Sequence, residues 1–198
     1  MFTLSTPHLL LAAGIALVGL ALTRRLHLGH WLAVGIFSVY LVGVAHFVLL
    51  PLVFDPGAPR EFGPIDIGRL IELRPFFISG ADVMPVAQAW LNILLTVPFG
   101  FGLPFVVNIR ARDALVFGVL LSVSIELAQL FADALYLARP TWSVDINDVL
   151  LNSLGVVLGY SAFRLTGTIY SATVGRLPAG RGPWAHFHDT LVRQAPQS

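Results

Sequence analysis

The chain has 198 residues, 56% of them hydrophobic and only 12% charged, with a formal net charge of +1 and a mean hydropathy of +0.79. A soluble domain is about a quarter charged, and a chain of this size cannot bury so much apolar surface in one interior and still cover itself with polar groups. The near-neutral charge argues against a nucleic-acid partner, which needs a dense basic face, and the absence of cysteine excludes a disulfide framework, thiolate metal sites and a cysteine nucleophile.

Lipid must solvate the remaining apolar surface, which predicts an all-α polytopic transmembrane helix bundle of about five spans. In chain order, apolar stretches long enough to cross a core of roughly 30 Å lie at about 8–23, 31–54, 86–107, 114–135 and 149–170. Arg24 and Arg25 follow the first stretch, which reads as a retained helix rather than a cleaved signal. Residues 1–30 are therefore an extra N-terminal span and short cytoplasmic link, ahead of a main transmembrane domain over 31–170.

The distribution of arginine sets the expected orientation. Arg24, Arg25, Arg110, Arg112, Arg164, Arg176, Arg181 and Arg193 fall on one side of a five-span chain, and Arg60, Arg69, Arg74 and Arg139 on the other. The richer side is cytoplasmic by the positive-inside rule, so the N-terminus is predicted outside and the C-terminus inside. Trp31 and Trp90 fall near span ends, where amphipathic rings favour the headgroup region. The long link from Asp55 to Pro85 mixes five acids with Arg60, Arg69 and Arg74 and reads as an external loop with a short interfacial helix around 65–73. Residues 171–198, rich in Gly, Pro and Arg, read as a poorly ordered cytoplasmic tail lying against anionic headgroups. His186 and His188 in that tail read as incidental rather than as a metal site, and no metal or cofactor is expected.

Ionisable groups inside hydrocarbon are costly, so they face a bundle interior or a water-filled cavity and commonly carry a role. Ser122, Glu126, Gln129 and Asp133 recur at intervals of four, three and four, which places them on one helical stripe. Asp145, Asp148 and Asn152 form a second stripe that continues through Gly155 and Gly159, and those glycines would let a neighbouring backbone approach closely. The third stretch carries Asn92, then Pro98, Gly100, Gly102 and Pro104, a run expected to kink or break its inner half. In the predicted orientation Asn92, Glu126 and Asn152 lie about 5–14 Å below the outer ends of their helices. Asp133, Arg139, Asp145 and Asp148 sit above them, giving a funnel of carboxylates and amides that opens outward. The same residues could instead be interhelical glue, and the acids at 145 and 148 could either bind a divalent cation or complement a helix dipole. His46 reads as packing in preference to a proton relay.

Three segments in this order resemble the VanZ-like family, named for a membrane protein associated with resistance to the glycopeptide teicoplanin. They are NILLTVPFG from Asn92 to Gly100, SIELAQLF from Ser124 to Phe131 and DINDVLLNSLGVVLGY from Asp145 to Tyr160, so the strongest match covers residues 92–160. IELRPF, from Ile71 to Phe76, is similar to the family's loop motif ending in Pro-Phe, with Glu72 and Arg74 departing from it. The family's polar positions fall on Asn92, Pro98, Gly100, Glu126, Gln129, Asp145, Asp148, Asn152, Gly155 and Gly159. Arg139 stands six residues before Asp145, farther than the family's usual arginine.

The resemblance implies an envelope-facing protein of the bacterial cytoplasmic (inner) membrane. In this reading Asn92, Glu126, Gln129 and Asn152 form the floor of a binding site for an envelope or lipid-linked cell-wall component, and Arg139, Asp145 and Asp148 its mouth. Membrane lipids are the other expected partners. Two further functions remain open on the sequence: an intramembrane lipid-modifying enzyme with Glu126 as general acid or base, and a small proton-coupled transporter. No internal repeat supports the transporter, although a homo-oligomer would supply symmetry.

Overall fold

The computed structural model describes residues 2–4, 28–49, 52–54, 71–73, 75, 86–136, 144–174 and 183–194. Among the described residues four helices are long and apolar enough to cross a membrane: α1 (Leu28–Leu49), α2 (Val86–Val106), α3 (Ala111–Tyr136) and α4 (Ile146–Thr173). A shorter helix, α5 (Pro183–Gln194), follows. The chain is an all-α polytopic bundle. The expected span at 8–23 lies outside the described residues, as do most of the 55–85 link and Arg139.

Helix α1 starts and ends earlier than the expected 31–54, closing at Leu49, because Pro51 disfavours helical backbone in the residue before it. Beyond it β2 (Leu52–Phe54) pairs antiparallel with β1 (Phe2–Leu4). Ile71 and Glu72, expected within an interfacial helix, form instead β3, which pairs in parallel with β4 (Val144–Asp145). Both pairings are too short to leave a two-residue periodicity in the sequence.

Helices α2 and α4 lie side by side and parallel. Asn92 faces Asp148 and Thr96 faces Asn152, both separated by 56 residues along the chain. Glycine makes this approach available. A methyl group on Gly100 would collide with the Val156 carbonyl, one on Gly159 with the Val97 carbonyl, and one on Gly155 with Thr96 Oγ1 and the Ile93 carbonyl. The two backbones are thus in direct contact, the arrangement that small residues permit between membrane helices. Helix α3 returns antiparallel on the other side of α4. Gly118 lies against Ser153 and Glu126 against Asp145, so eight residues up one helix match eight down the other.

Helix α2 runs unbroken through Pro98 and Pro104 to Val106, where the sequence predicted a kink or break. Proline leaves the carbonyl four residues earlier without its usual donor. Close by, the Tyr40 hydroxyl of α1 donates to the Leu95 carbonyl at 2.6 Å, fastening α1 across this stretch. Below it Phe99, Leu103, Val156, Tyr160 and Phe163 form the apolar core, with Phe163 edge-on to Phe101 and Phe105 at 6.0 and 5.2 Å between ring centroids.

Polarity is inverted relative to a soluble bundle. Thr96, Ser122, Glu126, Asn147 and Asn152 are buried, while Leu120, Leu127 and Phe131 on α3 are more than half exposed. Hydrocarbon outside and hydrogen-bonded groups inside is the arrangement a bilayer selects.

The expected tail also differs. Residues 171–173 complete α4, and Pro183–Gln194 form α5, which packs against α1, α2 and α4. Composition alone hid this helix because Gly and Pro crowd the segment before it, whereas Trp184, Phe187 and Leu191 recur at helical spacing. His186 Nε2 contacts the Phe105 carbonyl at 2.8 Å and His188 Nδ1 the Tyr170 hydroxyl at 2.9 Å. The histidine pair docks α5 at the C-terminal turns of α2 and α4.

If the α2–α4 backbone contact sets the packing, Gly159→Val should lower the stability of the purified protein in detergent by about 1–3 kcal/mol, the usual cost of overpacking. Gly35→Ala should leave it nearly unchanged, since a Cβ there meets nothing within 4 Å. Thermal unfolding followed by tryptophan fluorescence compares the two.

Candidate functional site

The polar residues of three helices converge at one end of the bundle. Helix α4 begins there because Asp145 caps it. With extended backbone at φ −116° and ψ 123°, Asp145 accepts the Asn147 backbone N–H at 2.8 Å on Oδ1, which the Asn147 side-chain amide also reaches at 2.9 Å. An acceptor at this position satisfies one of the backbone donors that a helix start leaves open. The Asp145 backbone N–H in turn donates to Glu126 Oε2 at 3.2 Å, so the cap of one helix is tied to the buried carboxylate of the next. Glu126 itself is only 3% exposed.

One turn into α4, Asp148 accepts a short hydrogen bond from Asn92 Nδ2 of α2. One turn farther, the Thr96 hydroxyl lies 2.9 Å from the Asn152 carbonyl of α4 and 3.0 and 3.2 Å from the Asn92 and Ile93 carbonyls of its own helix. Its single proton serves one of these at a time. The backbone pairing of β3 with β4 sets Glu72 beside Asp145 in register, so the IELRPF segment is brought to the same end.

The structure therefore brings together Asn92, Glu126, Asp145, Asp148 and Asn152. Gln129 is half-buried on α3, but its Nε2 reaches the Val48 carbonyl at 3.5 Å, which links α3 to the end of α1 rather than to the cluster. Pro98 and Gly100 lie lower on α2, and Gly155 and Gly159 form the α4 side of the backbone contact. The side chain of Asp133 lies outside the described residues. His46 is exposed on α1, its ring edge-on to Phe47.

Thr96 and Asn147 join the site without having been singled out from sequence. Thr96 stands four residues after Asn92, on the same helical stripe, and that spacing was the available signal. Asn147 belongs to the helix start, recognisable only once the cap is placed.

Chemically the cluster is rich in acceptors. Glu126, Asp145 and Asp148 lie with Asn92 about the start of α4, and one turn on Asn152 Oδ1 is buried with no hydrogen-bond partner. A buried acceptor left in this state costs about 1–3 kcal/mol, which a donor-bearing ligand or water would recover. Among the described residues no three His, Asp or Glu side chains are grouped to hold a metal ion.

The order of these elements, with the Asn-bearing α2, the Glu-bearing α3 and the Asp-capped α4, coincides with a match of the VanZ/LLP1 family to residues 37–167. That match covers well over half of the chain. The chain belongs to the VanZ/LLP1 family. No curated protein and no solved structure matches it. The VanZ/LLP1 match begins within α1 and ends within α4, so it contains every residue of the polar cluster and stops short of α5.

A double-mutant cycle on Asn92→Ala and Asp148→Ala, read by unfolding in mixed micelles, should give a coupling of about 1 kcal/mol, the scale of interhelical hydrogen bonds in membranes. Additive single-site losses would separate the two side chains energetically.

Proposed function

We propose that this VanZ/LLP1 protein works at the outer face of the bacterial cytoplasmic membrane, where it binds or remodels an envelope component such as a lipid-linked glycan or a phospholipid headgroup. Through that component it bears on sensitivity to glycopeptides such as teicoplanin. The observation that carries this reading is the meeting of Asn92, Glu126, Asp145, Asp148 and Asn152 from three helices at one end of the bundle, with the buried acceptor Asn152 Oδ1 left over. Acceptor-rich surroundings suit a ligand that presents hydroxyl or ammonium donors, as glycans and many headgroups do.

The arginine distribution supports the outward orientation. Arg110 and Arg112 lie at the α2–α3 link, sixteen and fourteen residues from Glu126, or about 20–24 Å away along the helix. With those arginines inside, the carboxylate cluster faces the envelope.

Glu126→Gln tests it, because the amide keeps an acceptor for the Asp145 N–H and removes the charge. In cells lacking the native protein, the variant should reach normal membrane abundance and show altered sensitivity to teicoplanin and related envelope-targeting agents. Lost abundance would assign Glu126 to helix fastening alone, and normal abundance with unchanged sensitivity would remove it from a working site.

A further inference from the structure

At the end of the bundle opposite the carboxylate cluster, two cavities adjoin across Phe105. One, of about 570 Å³, lies between α1 and α2 and is closed at its lower end by α5; Ile36, Phe37, Tyr40, Phe101, Phe105 and Phe187 are among its walls. It is almost wholly apolar, and it opens sideways from the bundle, with Ile36 67% exposed. Its size falls in the range of small-molecule sites. The other, of about 200 Å³, lies beneath it with a mixed wall that includes His30, Asn108, His186, Thr190 and Arg193. Among the described residues no carboxylate lines it.

From this juxtaposition we propose that the protein binds one anionic phospholipid here, with an acyl chain along the α1–α2 groove and the phosphate in the basic pocket below. The groove lies within the membrane-spanning part of α1 and α2, so the phase at its opening is hydrocarbon. An acyl chain can enter it without leaving lipid. The pocket beneath lies at the ends of α1 and α2, the level of the headgroups, and offers the Arg193 guanidinium to an acceptor, while the Thr190 hydroxyl donates to the His186 carbonyl and His186 Nε2 to the Phe105 carbonyl.

Charge complementarity selects the occupant. The Arg193 guanidinium favours a phosphate with net negative charge, and basic pockets between membrane helices are a recurrent form of anionic lipid recognition. Helix α5 joins the two levels: Phe187 faces the groove, while the neighbouring His186 and, two turns on, Arg193 face the pocket. This site is separate from the carboxylate cluster, and either can fail without the other.

Native mass spectrometry of the full chain, extracted in detergent and supplied with phosphatidylglycerol or phosphatidylcholine, tests the site. The parent protein should retain one phosphatidylglycerol in preference to phosphatidylcholine. Arg193→Gln should lower phosphatidylglycerol retention about fivefold, the effect of one basic group near an anionic lipid, and leave phosphatidylcholine unmoved. Ile36→Trp, which fills the groove, should lower both. Both positions are exposed, so the fold is retained, and thermal unfolding verifies this. Equal retention of the two lipids by the parent, or retention unchanged in both variants, would overturn the proposal. A photo-crosslinker at position 36 that captures residues 8–23 in place of lipid would assign the groove to that segment and overturn it equally.

Discussion

The rest of the structure depends on the backbone contact between α2 and α4. In hydrocarbon there is little hydrophobic drive to bring two helices together, so close packing and interhelical hydrogen bonds must do so. Gly100, Gly155 and Gly159 remove the side chains that would hold the helices apart. Once the axes are this close and parallel, the chain offset of 56 residues that sets Asn92 against Asp148 also sets Thr96 against Asn152. The polar bonds and the glycine contacts therefore reinforce one register, and a slip of either helix would break both.

Asp145 is the joint between this pair and the rest of the bundle. Its carboxylate caps α4, its backbone N–H reaches Glu126 on α3, and its strand pairing holds the segment at Ile71 and Glu72. A single residue thus connects three parts of the chain that are remote in sequence. Such joints rigidify a site, because a side chain with several partners has few alternative positions. The cluster is scaffold and candidate site at once: the bonds that hold the helices also aim Asn92, Asp148 and Glu126 toward one place. The leftover acceptor at Asn152 Oδ1 is what separates it from a fully satisfied structural network.

The two ends of the bundle differ in chemistry. Carboxylates gather where α4 begins, whereas His30, His186 and Arg193 line the pocket where α2 ends and α5 docks, and at the α2–α3 link Arg112 pairs with Asp113. Helix dipoles agree with this division at α4, since its positive N-terminal end meets Asp145 and Asp148. Helix α5 makes the second end more than a set of loops, because its histidines occupy the carbonyl of Phe105 and the hydroxyl of Tyr170, and its apolar face completes the core through Leu191.

Much of this was legible from residues alone because bilayer solvent imposes long-range rules on composition. The apolar runs announce membrane helices, and the spacing of Asn92, of Ser122 with Glu126, and of Asp145 with Asp148 and Asn152 marks the faces that turn inward. The glycines at 155 and 159 announce close approach. What the sequence could not decide was which partners each polar face would meet. Gln129 shares a stripe with Glu126, yet its Nε2 reaches the Val48 carbonyl of α1 at 3.5 Å. The pairing of Ile71 and Glu72 with Val144 and Asp145 joins segments more than seventy residues apart, and two residues carry no periodic signal. The continuity of α2 through two prolines and the docking of α5 likewise depend on neighbours. Sequence by itself determined the solvent, the helices and their inward faces, since these follow from local spacing and transfer energies; only the tertiary structure decided the contacts among those faces, since they depend on how closely the backbones approach.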